Sequence, residues 1–468
     1  MRPCRNRCRL ATVLSHRLEF HPEDDEQFFA QLPDAPAVFA LRGEQAQSEA
    51  YISKTANLRR RARRLLAQPA PIPGGTSAGT AAQDEHSPSV VFAPGGTEGR
   101  RLNLRYRVRW LEYSSTGSDF ESGFLLYQLL RREFPQAYQK RLRLRPAPLL
   151  RLILENRYPR LVVTARISGR QGPSDNAAFP FAGARSAYYG PFPTRAAAEK
   201  YANDVLDLFK VRRCVEELNP DPAFPGCIYS EMKMCLAPCF RGCTDEAYAE
   251  EVTRLEQFLS TGGRSLLYAV AAERDRASEQ LEFEAASALH TRFERIQALI
   301  RELPEIVRRL DRLRGLMIQP AAQAGAVALF AIEAGRISDP ITFTPAATTP
   351  LPTSVASPAE AAPVPASPKA APHSHSIEAR LSETLATAPP AQLSSAQEAM
   401  EHLAILKRWY YRSSKLGELF LSDEKGELPM RRIVRGVARV LKGEAPQPDL
   451  PEMARDYWIH RGREAEIK

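Results

Sequence analysis

Two stretches of this chain cannot build a core, and they constrain how everything else must fold. Residues 69–99 and 345–395 are dominated by Pro, Gly, Ala, Ser and Thr. Such segments bury too little apolar surface to offset the entropy lost on ordering, so both are expected to be disordered. They divide the 468 residues into an N-terminal module, a central body and a C-terminal tail. The length itself predicts two to four domains, with no internal repeat. The expected fold class is α+β, in several small domains.

The first module spans 18–147, with 69–99 inserted in it. AVFAL (37–41) reads as a buried strand and AYIS (50–53) as a second, joined by a hairpin around Gly43. TANLRRRARRLL (55–66) reads as a helix with Leu58, Ala62, Leu65 and Leu66 on its apolar face. RLNLRYRVRWLEY (101–113) alternates like a strand, with Leu102, Leu104, Tyr106, Val108 and Trp110 on one side. FLLYQLLRREF (124–134) reads as a helix ending near Pro135. A central domain over 148–263 opens with strands at 149–155 and 160–167. Thr194 is placed to cap a helix at 195–210 whose apolar face is Ala198, Tyr201, Val205, Leu208 and Phe209. Helical segments follow at 245–262 and 264–302, then a short β hairpin within 303–344, from 315–320 and 326–337. Beyond the linker at 345–395, a helical tail is expected over 396–468. In it, Trp409, Tyr410 and Tyr411 beside Lys407, Arg408 and Arg412 form either a base-stacking surface or a packed helix face.

Hydrophobic residues make up 44% of the chain, enough for real cores, and 64 Lys plus Arg against 55 Asp plus Glu leave a net charge of +9. That balance suits a partner with an acidic surface, nucleic acid above all, although liberal arginine usage gives the same number. No stretch reaches the roughly 18 apolar residues of a membrane helix. The opening MRPCRNRCRLATVLSHRLEF lacks an apolar core and cleavage site, so a cytoplasmic protein with no membrane partner is expected.

Five of the seven cysteines fall between Cys214 and Cys243; the others are Cys4 and Cys8. Cys214, Cys227, Cys235 and Cys239 are separated by 12, 7 and 3 residues, and Cys243 follows. An odd, clustered set in a long chain points to metal binding rather than disulfides. Four thiolates satisfy either zinc or an iron–sulfur cluster. The spacing is unlike the C-x2-C knuckles of zinc ribbons and favours iron–sulfur. Zinc, or buried thiols without a ligand, remain the alternatives.

YYGPFPTRAAAEKYANDVLDLFKVRRC (188–214) and CIYSEMKMCLAPCFRGCTDEAYAEEVTRLEQFLSTGG (227–263) resemble segments of the UvrC family of excision-repair nucleases. LEFEAASALHTRFERIQAL (281–299) is similar to that family's UVR motif, a helical hairpin that binds the excinuclease component UvrB, and AVALFAIEAGRI to the strands after it. Together these cover about 188–340. The resemblance implies a [4Fe-4S] cluster on Cys214, Cys227, Cys235 and Cys239. It also implies a UVR-like hairpin at 264–302 docking through Leu281, Phe283, Leu289, Phe293 and Ile296. Leu281, Ala285, Leu289, Phe293, Ile296 and Ile300 recur at helical spacing, which an ordinary closed hairpin also explains.

The N-terminal module resembles a degenerate GIY-YIG nuclease domain, a small α/β/α module that cuts one DNA strand with one Mg²⁺ or Mn²⁺ ion. Tyr51 keeps the tyrosine of YIG, Lys54 and Asn57 match the residues that follow, and Arg61 falls where the catalytic arginine belongs. The first tyrosine is replaced by Phe39, which has no hydroxyl, and the glycine of YIG by Ser53. The position of the metal-binding glutamate falls on Leu126, with Glu121 and Glu133 the nearest carboxylates, and the family's closing asparagine corresponds to Gln139. Without a carboxylate the ion has little to hold it. Arg59, Arg60, Arg63 and Arg64 beside Arg61 suit phosphate contact or simply a solvated helix face. The resemblance is to the family's N-terminal half; no room is left for its RNase H-like nuclease and helix-hairpin-helix pair. The expected function is a UvrC-like excision-repair protein that binds double-stranded DNA and, if its site is active, nicks one strand. The alternatives are an inactive paralogue docking on UvrB, or a redox-sensing iron–sulfur DNA-binding protein.

Overall fold

The computed structural model describes residues 14–44, 49–68, 103–167, 186–345, 376–387 and 395–445. Cys4, Cys8, Leu102, all of 69–99 and most of 345–395 lie outside the described residues. The chain divides into two units, 1–138 and 139–468.

The first unit contains β1 (His16–Glu19), α1 (Asp25–Gln31), β2 (Ala37–Arg42), β3 (Tyr51–Thr55), α2 (Leu58–Leu66), β4 (Trp110–Ser115) and α3 (Asp119–Glu133). Its sheet is antiparallel, in the order β1-β4-β2-β3. Period-two alternation in β2 sends Phe39 and Leu41 into one core with Phe28, Phe29, Leu58, Ala62 and Leu65 from α1 and α2. Val38 and Ala40 point the other way, into a core with Leu125, Leu126 and Leu129 of α3. The sheet is therefore covered on both faces, which is why AVFAL reads as an unbroken apolar run. Asn57 caps α2 by accepting from the Arg60 N–H at 2.8 Å.

Two expectations here need correction. The segment before β4 is not strand: Leu104–Arg107 makes a turn, with Arg107 N–H donating to the Leu104 carbonyl at 3.0 Å. Arg105 turns inward, donating to Asp25 at 2.6 Å and to the Leu66 carbonyl at 2.9 Å, while Tyr106 is 83% exposed. Alternation of arginine with apolar residues mimicked a strand because one of the arginines is the buried member. Helix α3 also starts at Asp119, ahead of the expected 124, because Ser118 caps it by accepting from the Glu121 N–H at 3.0 Å.

Helix α4 (Tyr138–Leu142) lies where the units meet in sequence. The second unit opens with β5 (Leu149–Ile153), β6 (Arg160–Thr164), β7 (Ala187–Gly190) and α5 (Arg195–Leu206). Thr194 caps α5, accepting from the Ala197 N–H at 3.1 Å, and Ala198, Tyr201 and Val205 are buried. The helix stops at Leu206, so Leu208 lies beyond it and is only half-buried. Then come α6 (Ile228–Glu231), α7 (Asp245–Ser260), α8 (Arg264–Glu279), α9 (Phe283–Glu302) and β8 (Arg308–Arg309). These strands form an antiparallel sheet in the order β6-β5-β7-β8. The segment 264–302 is two helices: the chain reverses at Leu281, whose φ is 60°.

The expected short hairpin is the start of a larger sheet, and the expected helical tail contributes a strand to it. Strands β9 (Arg314–Pro320), β10 (Val327–Glu333), β11 (Arg336–Ile337) and β12 (Ile341–Phe343) are joined by β13 (Glu418–Leu421), which pairs antiparallel with β9. Helices α10 (Ile377–Ala386), α11 (Ala396–Tyr410) and α12 (Met430–Lys442) complete this region. Leu381 of α10 shares a core with Leu316, Leu329, Phe420, Ile433 and Val437, so part of the expected linker is a packed helix. Ser376 caps it, accepting from the Ala379 N–H at 3.2 Å. The tail's aromatics also pack: Trp409 is buried and Tyr411 Oη donates to the Pro191 carbonyl at 2.9 Å.

Gly436 of α12 lies against Phe420, and a Cβ there would overlap the ring. Alanine in a helix ordinarily gains about 1 kcal/mol over glycine, but overpacking costs about 1–3 kcal/mol. Gly436→Ala is expected to lower the melting temperature; a value at or above wild type in a thermal melt would mean that helix propensity wins.

Candidate functional site

In the first unit the turn from β3 into α2 is fixed locally. The Thr55 hydroxyl accepts from the Asn57 N–H at 3.2 Å, and Asn57 caps α2. Arg61 therefore sits one turn into the helix, above the face of β3 that carries Tyr51. Its Nη2 donates to Tyr51 Oη at 2.9 Å, and the pair is half-buried. Phe39 lies beside them, its ring centroid 6.2 Å from that of Tyr51, but fully buried in the core with α1 and α2.

The other candidates fall on the opposite side of the sheet. Lys54 is one position out of phase with Tyr51 and forms an ion pair with Asp119 of α3. Leu126, at the position where the sequence resemblance expects the glutamate, packs with Val38 and Ala40. Each carboxylate of α3 is already engaged. Asp119 holds Lys54. Glu121 accepts from the Gly117 N–H at 2.7 Å and so completes the helix start. Glu133 is held by Arg42 at 2.9 Å, and Arg42 also binds Glu112 at 2.8 Å. The hydrogen bond from Arg42 holds the Glu133 carboxyl below its ordinary range. Burial pushes Glu121 the other way, upward, against the pull of the Gly117 and Ser118 backbone. Among the described residues no group of three or more His, Cys, Asp or Glu is placed to hold a metal ion. Arg59 donates to the Leu32 carbonyl at 2.8 Å, and Arg63 lies over the Phe29 ring at 5.7 Å. Arg60, Arg63 and Arg64 are exposed.

The cysteine loop of the second unit is suspended between α5 and α7. Arg212, buried, donates to the carbonyls of Tyr158 at 3.0 Å and Glu216 at 2.8 Å. Tyr248 and Glu251 of α7 accept from the N–H groups of Arg212 at 3.1 Å and Lys210 at 2.6 Å. Within the loop, Lys233, Ala237 and Arg241 have φ values of 55°, 61° and 61°, so the backbone winds tightly. Cys214, Cys227, Cys235, Cys239 and Cys243 are all free and half-buried. Burial pushes the Cys235 thiol up to about 11, and Cys214, Cys239 and Cys227 add to the shift through their charges. Two donors face sulfur: the Ala237 N–H at 3.3 Å from Cys235 Sγ and Arg212 Nη1 at 3.6 Å from Cys214 Sγ. The donor set suits a soft metal centre, while the thiols as placed do not close a ligand shell.

At the far end of the α8–α9 hairpin Leu281 and Phe283 are 70% and 68% exposed, and Tyr268, near the start of α8 at the other end, is exposed too. Leu289 and Phe293 are half-buried, with the Arg274 guanidinium 5.1 Å from the Phe293 ring centre. Ile296 is fully buried, which removes it from any docking surface. Tyr268 and Asp119 had no sequence signal that singled them out.

Residues 149–258 match the family model of the UvrC/Cho excinuclease middle domain. The UvrABC system protein C of Alcanivorax borkumensis is 29% identical over 194 residues, which is 41% of this chain and 29% of that protein. The match thus spans less than a third of the curated relative's length. No solved structure matches. No helix among the described residues is long and apolar enough to cross a membrane.

Because the fold raises the Glu121 pKa, the stability this group contributes is complete at low pH and is lost as pH rises through the folded value. Glutamine keeps the acceptor for Gly117 without the charge. Glu121→Gln is therefore expected to melt higher than wild type at pH 8, with the gap narrowing at pH 4. A gap that widens on acidification would show that the carboxylate is a net stabiliser.

Proposed function

We propose, on the match of residues 149–258 to the UvrC/Cho excinuclease middle domain, that this UvrC-family chain is a nucleotide excision repair factor whose N-terminal module binds DNA without cutting it. The observation that carries this reading is the fate of the α3 carboxylates. Leu126 stands at the glutamate position, and Asp119, Glu121 and Glu133 are each held by a partner. What remains is the Tyr51–Arg61 pair beside exposed Arg60, Arg63 and Arg64. That set can contact a phosphate. It offers no carboxylate to Mg²⁺ or Mn²⁺, and Phe39 has no hydroxyl to orient water. The exposed Leu281 and Phe283 at the hairpin end support docking on UvrB, the partner expected of a UVR-like motif.

Within the same reading, Cys214, Cys227, Cys235 and Cys239 hold an iron–sulfur cluster. The support is the soft donor set itself, free and half-buried thiols in one tightly wound loop where the Ala237 N–H and Arg212 already face the sulfurs of Cys235 and Cys214. In such a site the cluster would draw the four sulfurs together, and the chain's own contribution is to hold the loop and partly desolvate the four thiols.

Incision is tested with an end-labelled, lesion-bearing duplex, with and without UvrA and UvrB, in Mg²⁺ and in Mn²⁺. The expected result is binding with no nick. A nick that vanishes in Arg61→Ala would sink the non-cutting reading. For the cysteines, anaerobically purified protein is expected to contain iron and sulfide and to absorb near 400 nm. Cys235→Ser should lose both signals and Cys243→Ser should keep them. A colourless protein containing zinc would overturn the iron–sulfur assignment.

A further inference from the structure

Charge is unevenly spread along this chain. Helix α2 carries five arginines and no acid; α12 carries Arg431, Arg432, Arg435, Arg439 and Lys442 and no acid. Those ten charges exceed the net +9 of the whole protein, so everything outside the two helices is close to neutral. The role of α2 is covered by the reading above. That of α12 is not.

Helix α12 has two sharply different sides. Ile433, Gly436, Val437 and Val440 are buried, the three apolar side chains in the core with Leu316 and Phe420. Arg431, Arg435, Ala438 and Lys442, at spacings of four, three and four, lie along the opposite side and are exposed. Arg439, on the flank, is spent on Glu418, which it grips at 2.7 and 2.6 Å. Arg431 and Arg435 have no such partner among the described residues, and Lys442 has only the exposed Glu444 at 3.7 Å, a pair of little strength. From Arg431 to Lys442 the stripe runs about 16 Å.

We propose that the outer stripe of α12, Arg431, Arg435 and Lys442, is a second DNA-contacting surface that binds the phosphate backbone of duplex DNA. This rests on the DNA-binding reading above and extends it to the second unit. Membrane binding by a basic amphipathic helix needs the apolar face free to enter lipid, and here that face is buried in the core. Single-strand binding uses aromatic side chains as stacking platforms, and the helix has none. A rigid row of cations with neither feature suits the regular charge of a duplex, which needs no base to be exposed.

The test is fluorescence anisotropy of a labelled duplex with the full chain, across a series of salt concentrations. Each phosphate contact removed should flatten the plot of log Kd against log salt by about one unit. Combined Arg431→Ala, Arg435→Ala and Lys442→Ala is expected to flatten it by about two to three units. Arg431→Lys with Arg435→Lys should keep the wild-type slope, which separates charge loss from misfolding. A wild-type slope in the triple variant overturns this proposal and leaves DNA binding through α2 standing. Absence of any salt-dependent binding by the wild type overturns both. A larger loss on single strands than on duplex, or tighter binding to phosphatidylserine vesicles than to duplex, also overturns it.

Discussion

Burial of β2 on both faces decides which side chains of the N-terminal unit can meet. Phe39 and Leu41 are committed to the core under α1 and α2, and Val38 and Ala40 to the core under α3. Its neighbour β3 inherits the same phase through their pairing, Phe39 opposite Ser53 and Leu41 opposite Tyr51. Tyr51 is thereby turned to α2, where Arg61 reaches it, and Lys54 to α3, where Asp119 does. A one-residue slip of register would exchange the two sets, turning Lys54 toward α2 and Tyr51 away from Arg61, so the arrangement is strongly specified.

On the GIY-YIG-like reading of this module, that geometry gives its departures from the pattern a common physical meaning. A phenyl ring at position 39 fills its core position as well as a phenol would, with no hydroxyl to satisfy. Leucine at 126 packs where a carboxylate would have needed a partner. The carboxylates that remain on α3 hold structure: one completes a helix start, one closes an ion pair across from β3, and one forms the outer arm of the Glu112–Arg42–Glu133 chain. Freeing Glu121 or Glu133 for a metal ion would leave a part-buried donor without its acceptor, which costs more than the bond itself contributes, whereas the exposed Lys54–Asp119 pair is the weaker hold.

Sequence alone was informative where burial alone decides the pattern. The apolar face of α2, the strands at 37 and 51, the capped helix after Thr194 and the hairpin pair β9–β10 all follow from periodicity and capping. It misled where a charged residue is the buried one, as Arg105 is, because alternation counts arginine as an outward residue. It also failed where composition hid a short amphipathic element. Helix α10 is mostly alanine, small polar and acidic residues, and what holds it is chiefly Leu381 in a core built from distant strands. The pairing of β13 with β9, more than ninety residues apart, leaves no local trace at all. For the candidate site, the Tyr51–Arg61 pair was readable from spacing. The engagement of Glu121 depends on the Gly117 backbone, which only the folded turn reveals.

The cysteine loop poses a question of order: does a ligand shape it, or does the scaffold? Three side-chain-bearing residues with positive φ, Lys233, Ala237 and Arg241, are costly unless the surroundings over-determine them. The surroundings do so from the scaffold side. Glu251 and Tyr248 of α7 take the N–H groups of Lys210 and Arg212, Leu236 N–H donates to the Lys210 carbonyl at 3.0 Å, and Asp221 N–H donates to the Cys239 carbonyl at 2.9 Å. The two ends of the loop are thus tied to α7 and to each other by bonds that involve no sulfur. Burial meanwhile favours protonated thiols at Cys235 and Cys239, so the fold tolerates the uncharged loop. A scaffold of this kind keeps its backbone when the thiols lose a ligand. On the iron–sulfur reading, the energy of binding would go into drawing the sulfurs together rather than into folding the domain, the opposite regime from a zinc finger, where the metal supplies the fold.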